Sequence, residues 1–100
     1  MILKIQKYKN GKLEKLKEYY ENGILYYETE YKNGKIEKFK EYNKNGKISF
    51  DAEYKNENPW NIKEFDEKGN LLNDIKEGKG IMKYFDDNKN LILETEFLNG

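Results

Sequence analysis

The chain has 100 residues, 36% hydrophobic and 38% charged, which is the length of one domain with little apolar material for a thick core. Nineteen cations balance nineteen anions, and every cation is lysine; this counts against nucleic acid or a polyphosphate as partner, since those ligands favour arginine's planar fork and a net basic patch. Cysteine and histidine are absent, which excludes disulfides, thiolate metal sites and Ser-His or Cys-His nucleophile pairs.

The opening run from Met1 to Tyr8 is broken by Lys4 and Lys7 and lacks the apolar centre of a secretion signal. No segment reaches the roughly 20 apolar residues of a spanning helix, and the compartment stays unknown. Tyr8, Lys9, Asn10 and Gly11 then return as Tyr31 to Gly34 and again as Tyr54 to Glu57, a step of 23 residues. Gly23, Gly46 and Gly69 keep the same step midway between them. Each repeat is thereby cut into two short segments, the pattern of one β-hairpin. The single domain 1–100 reads as about four hairpin units, 8–30, 31–53, 54–76 and 77–96, with partial units at both ends. Phe97 to Gly100 copy the motif Tyr31 to Gly34, so a further hairpin is expected to follow.

The segments after the second glycine series alternate with period two. Ile48, Phe50, Ala52 and Tyr54 are separated by Ser49, Asp51 and Glu53, which gives a strand with one apolar face. Leu25, Tyr27, Thr29 and Tyr31 fill the same places earlier, Leu71, Asn73 and Ile75 give a weaker copy, and Leu91, Leu93, Thr95 and Phe97 close the series. The other segment of each unit has a three-residue step: Leu16 and Tyr19, Phe39 and Tyr42, Ile62 and Phe65, Ile81 and Tyr84. Either both faces are partly covered there, or a bulge resets the alternation. An amphipathic helix would share that step, but about eight residues between turn signals are too few. Turns are expected at Gly11, Gly23, Gly34, Gly46 and Gly69, four of them in Asn-Gly pairs. The expected core comprises Leu25, Tyr27, Phe39, Ile48, Phe50, Tyr54, Leu91, Leu93 and Phe97. The fold class is all-β, an elongated antiparallel β-meander of hairpin repeats in a single-layer twisted sheet.

The unit running from Gly11 to Gly34 (Gly, Lys, three residues, a large apolar residue, two residues, Tyr, Tyr, a residue, Asn, Gly, then the closing Tyr-x-Asn-Gly) resembles the short bacterial variant of the MORN repeat, arrays of which are labelled YwqK-like antitoxins. The likeness covers residues 8–100 and is strongest in Gly11 to Gly34 and Gly34 to Tyr54. Lys15, Lys38 and Asn61 depart from it where a glycine is kept only at Gly80, as do Glu57, Pro59 and Trp60 in the third unit and Lys89 in the last. The resemblance implies a meander of hairpins, a binding or scaffolding role of an antitoxin-like or adaptor kind, and no catalytic residue.

Residue chemistry agrees with a non-enzyme that needs no cofactor and no metal. Ser49 is the only serine, and Glu28, Glu30, Glu94 and Glu96 lie on the faces opposite the apolar rows, as a solvated surface does. Asp86, Asn88 and Asn90 have the spacing that begins a calcium loop, but Leu91 replaces its glycine and Phe97 its glutamate, which leaves a polar turn. Nine Tyr, five Phe and one Trp are a high share; rings that fill the thin layer and touch across strands account for most of them, and the sharper reading is that one strip stays partly exposed for a partner. Tyr20 stands at a position taken by Asn43, Asp66 and Phe85 in the other units, and Tyr26 falls on the polar face by alternation. Tyr20, Tyr26 and Trp60 are the partner-binding candidates, on one exposed strip that docks a protein. Two alternatives accompany this reading: self-association or assembly through open sheet edges, and peripheral membrane binding, disfavoured by the interleaving of Lys with Glu.

Overall fold

The computed structural model describes residues 3–98; Met1, Ile2, Asn99 and Gly100, and with them the final turn motif, lie outside the described residues. Nine strands follow one another: β1 (Leu3–Lys9), β2 (Lys12–Tyr19), β3 (Leu25–Lys32), β4 (Lys35–Tyr42), β5 (Ile48–Lys55), β6 (Asn58–Phe65), β7 (Leu71–Lys76), β8 (Lys79–Phe85) and β9 (Leu91–Leu98). They pair in sequential order in one sheet, because two- and three-residue turns can join only antiparallel neighbours. Nine strands at about 4.8 Å span about 38 Å, close to the long axis of the 40 × 33 × 18 Å molecule. The outline is a nearly square plate, less elongated than the repeat suggests. Its 18 Å depth exceeds the roughly 10 Å of a flat layer, and the excess is twist and curl.

Turns alternate between two edges of the plate. On one, Asn10-Gly11, Asn33-Gly34, Asn56-Glu57 and Glu77-Gly78 are two-residue turns with positive φ at both positions, the geometry that matches the twist of the flanking strands. On the other, three-residue loops end on Gly23, Gly46, Gly69 and Lys89, also at positive φ. All five expected turn glycines occupy these turns. Asn43, Asp66 and Asp86 open the later three loops, and each side-chain Oδ1 accepts two backbone N–H bonds, as Asp86 does from Asn88 and Asn90, both 2.9 Å. The polar turn expected at Asp86 is therefore a capped one, and Asp86, not Phe85, is the counterpart of Tyr20.

Every hairpin except β7–β8 has a shifted register. The extra residues are Glu14, Tyr26, Glu37, Ser49, Trp60, Leu72 and Ile92, and each bulge strengthens the local twist. The three-residue steps on the even strands reflect coverage of both faces. Phe39 faces Ala52 on one side, while Tyr42 lies among Glu28, Lys40 and Asp51 on the other. In the last unit the inward residue is Met82, 4% exposed, and Ile81 is 44% exposed. The missing bulge removes one residue between turn and core, which shifts the phase of alternation by one.

One face carries the core. Leu16, Thr29, Phe39, Ala52, Ile62, Ile75, Gly80 and Phe97 form a cross-strand row from β2 to β9. Ala52, Ile62, Ile75 and Met82 are its buried cluster, with Phe39, Phe50, Tyr54 and Phe97 packed against it. Leu25, Tyr27 and Ile48 are half-buried as well. Leu91 and Leu93, expected in the core, are 50% and 54% exposed, because β9 has a neighbour on one side only among the described strands. Small and short side chains can be the deepest in such a thin layer, since the larger rings beside them supply the cover.

The β7–β8 ladder runs only from Lys76–Lys79 to Asp74–Ile81. Beyond it the buried Asn73 carboxamide stands in for a strand: its Oδ1 accepts from Lys83 N at 2.8 Å, and its Nδ2 donates to Lys83 O at 2.9 Å and to Glu64 Oε1 at 2.7 Å. A side chain thus satisfies backbone groups that the splayed strands leave without a ladder partner.

Candidate functional site

The two faces of the plate differ in chemistry. On one, Lys17, Glu28, Lys40, Asp51, Lys63 and Asp74 are successive cross-strand partners. Lys15, Glu30, Lys38 and Glu53 form a parallel row, with Lys15 Nζ 3.9 Å from Glu30. Opposite charges in direct cross-strand contact stabilise a sheet modestly, and a surface already paired in this way offers little net charge to a partner.

The other face carries a second row beside the core row: Lys4, Glu18, Tyr27, Glu41, Phe50, Glu64 and Asn73, each the cross-strand partner of the next. Carboxylates on β2, β4 and β6 alternate with rings on β3 and β5. A chain of aromatic contacts crosses it, with ring centroids 4.7 Å apart for Tyr20–Tyr26, 5.2 Å for Tyr26–Tyr27, and 5.9 Å for both Tyr27–Phe39 and Phe39–Phe50. Tyr26 and Tyr27 are adjacent in sequence, so a 5.2 Å separation requires both rings on one side. The bulge at Tyr26 does this, and it moves Tyr26 off the polar face where simple alternation places it.

Tyr20 and Tyr26 meet at the loop edge and line a cleft with Glu21, Asn22 and Lys44. Tyr20 has given up the turn-capping role of Asn43, Asp66 and Asp86. Its loop is held instead by Asn22, whose Oδ1 accepts from Ile24 N at 3.0 Å, and the Tyr20 hydroxyl donates to the Tyr42 carbonyl at 2.9 Å. Burial, then the neighbouring Tyr26 and Glu41, push the Tyr20 phenol above its ordinary value. Burial and the hydrogen bond to Glu18 push the Tyr27 phenol up to about 12. Burial, then repulsion from Glu64, raise the Glu41 carboxyl.

Trp60 does not share this strip. It is the bulged residue of β6 beside the Asn56-Glu57 turn, at the opposite edge of the plate from Tyr26, and Lys55 Nζ lies 4.5 Å from its ring centroid. Lys55 follows Asp51 and Glu53 in alternation, so Trp60 belongs to the charged face. A bulge that displaces the ring by one position cannot be read from a period-two pattern, and it separates the three candidates into a pair and a lone residue.

The model of the MORN repeat variant matches residues 15–33, 38–56 and 79–99, more than half of the chain. The chain belongs to this family. No curated protein and no solved structure matches it. In this MORN array the unmatched stretch between residues 56 and 79 holds Glu57 of the β5–β6 turn, the bulged Trp60, the capping Asp66 and the bridging Asn73. Within the matched first segment, Tyr20 and Tyr26 replace capping and bulge residues that are Asn43 and Ser49 in the second and Asp86 and Ile92 in the last.

Proposed function

We propose that this MORN array is a non-catalytic scaffold that binds a protein partner through the aromatic row, in an adaptor or antitoxin-like role. The observation that carries the reading is the continuous run of rings Tyr20, Tyr26, Tyr27, Phe39 and Phe50, whose first two members have no aromatic counterpart at the same positions of the other units. Aromatic residues that a fold does not require, placed beside an open cleft, have the composition of an interface hot spot. Trp60 is left out of the contact surface, although it was a candidate on composition.

The test compares Tyr20→Ala/Tyr26→Ala with Lys17→Ala/Lys63→Ala on the charged face. A partner captured from the source cell by the wild-type chain is purified and titrated against both variants. The aromatic pair should lose about 2 kcal/mol per anchor and the lysine pair almost nothing; equal affinity for the wild type and the aromatic variant would refute the reading.

A second reading, pairing through sheet edges, rests on the apolar side chains of the outer strands: Leu3, Ile5 and Tyr8 on β1, and Leu91, Ile92, Leu93 and Leu98 on β9, are 47% to 74% exposed. Self-association measured by sedimentation separates it from the first, because a lysine substituted at Ile92 would abolish edge pairing and leave the aromatic row intact.

A further inference from the structure

The aromatic row holds three carboxylates as well as rings, and their spacing is regular. Glu18, Glu41 and Glu64 occupy the same row on β2, β4 and β6. Two strand spacings separate neighbours, about 10 Å. Glu41 has Tyr27 and Phe50 as its cross-strand partners and Phe39 two residues earlier on the same face. Lys4 opens the row on β1 beside Glu18, and among the described residues no lysine is paired with Glu41 or Glu64. On the opposite face, by contrast, Glu28, Glu30, Asp51, Glu53 and Asp74 each have a cross-strand lysine.

We propose that this row receives a lysine- or arginine-bearing extended segment of a protein partner, laid across the strands with its cations over Glu18, Glu41 and Glu64 in turn. The inference rests on the reading of this face as the binding surface and names the chemistry of its occupant. Charge complementarity selects a basic segment, since three acids in the row face one cation, Lys4, and neither Glu41 nor Glu64 has a cross-strand lysine. The rings between the acids add cation–π attraction, strongest where water is partly excluded. Spacing selects the backbone: a polyproline II segment advances about 9.3 Å per three-residue turn, which matches two strand widths, so a basic residue at every third position meets successive carboxylates. Burial first, and then repulsion from Glu64 across Phe50, raises the Glu41 carboxyl, and a cation placed between the two acids relieves the second of these.

The probe is a fluorescent peptide of repeated Lys-Pro-Pro, titrated by anisotropy at low salt. A Glu-Pro-Pro repeat and a peptide with the same lysines clustered at one end serve as controls. Glu41→Gln/Glu64→Gln is compared with Asp51→Asn/Asp74→Asn, which removes the same charge from the other face. The expected result is binding of the Lys-Pro-Pro repeat, about tenfold or more weakened by the first pair, changed less than about twofold by the second, and weaker for the clustered peptide. Equal losses from both pairs, or no binding of the Lys-Pro-Pro repeat, overturn the proposal. If the peptide fails while Tyr20→Ala/Tyr26→Ala still releases the purified partner, the aromatic surface stands and only its basic occupant falls; if neither responds, both fall.

Discussion

Gly80 is the position at which one methyl group should do the most damage. Its φ is +144°, and a Cβ built there would lie 2.7 Å from the Asp74 carbonyl oxygen and 2.9 Å from Ile75 Cδ1. The first contact is with backbone and cannot be relieved by a rotamer change. The second displaces Ile75, 1% exposed and the largest fully buried side chain. Gly80 also lies in the middle of the short β7–β8 ladder, opposite Ile75. Backbone strain of about 1–3 kcal/mol and overpacking of about 1–3 kcal/mol together predict that Gly80→Ala costs roughly 2–6 kcal/mol. Gly34→Ala is the control: its φ is +80° and nothing lies within 4 Å of the added Cβ, so only the conformational term of about 1–2 kcal/mol applies. Equilibrium urea unfolding of both variants measures the difference, and hydrogen exchange should show β8 and β9 losing protection before β2 to β6. Equal losses at the two glycines would refute the argument that close approach, and not turn geometry, makes Gly80 necessary.

Asn73→Ala should destabilise the fold by about 2–4 kcal/mol, since it removes the part-buried bonds to Lys83 N and O and leaves both groups without that partner; faster exchange of the Lys83 amide is the local signature. Glu57 takes a turn glycine's place at φ +68°, and its ion pair with Lys35 at 3.9 Å is exposed, so Glu57→Gly should raise stability by about 1 kcal/mol in thermal unfolding. The Tyr27 phenol, raised from 10.0 to about 12, has a folded value above its unfolded one. Its contribution is therefore complete below pH 10 and lost as pH rises through about 12. Alkaline unfolding followed by tyrosinate absorbance should flatten in that window for Tyr27→Phe, and an unchanged profile would show that Tyr27 is not the group responsible.

The period of 23 residues and the Asn-Gly pairs made the strand count, order and turn positions legible, because turn chemistry is local and repeats itself. Faces near the bulges were not legible: Tyr26 and Trp60 each insert one residue into a strand, and nothing in a composition pattern marks where the alternation slips. The same limit explains Met82, which took the inward place of Ile81 once the last unit lacked its bulge. Asn73 stood in an apolar row as a weak copy, and its meaning depended on where Lys83 arrived, a contact set by the splay of β7 from β8. Tyr20 stands out in the sequence because its position varies between units, and the structure adds that the site it departs from is a turn cap. The row of Glu18, Glu41 and Glu64 was present in the sequence at the repeat period but became an acidic line only when the registers aligned it.

In the two central rows of the charged face, four neighbouring strands carry one sign of charge each: Lys15 and Lys17 on β2, Glu28 and Glu30 on β3, Lys38 and Lys40 on β4, Asp51 and Glu53 on β5. The sign acts as a parity label. An even strand is accepted beside any odd one, so the label rejects like with like but does not tell one unit's β4 from the next unit's β6. Removal or insertion of a single strand would place two rows of equal charge side by side, whereas removal or insertion of a whole hairpin preserves the alternation everywhere. An array built on this rule lengthens and shortens by hairpins, and the features that give each unit its individual place are the unrepeated ones: Tyr20, Trp60, Asn73 and Gly80.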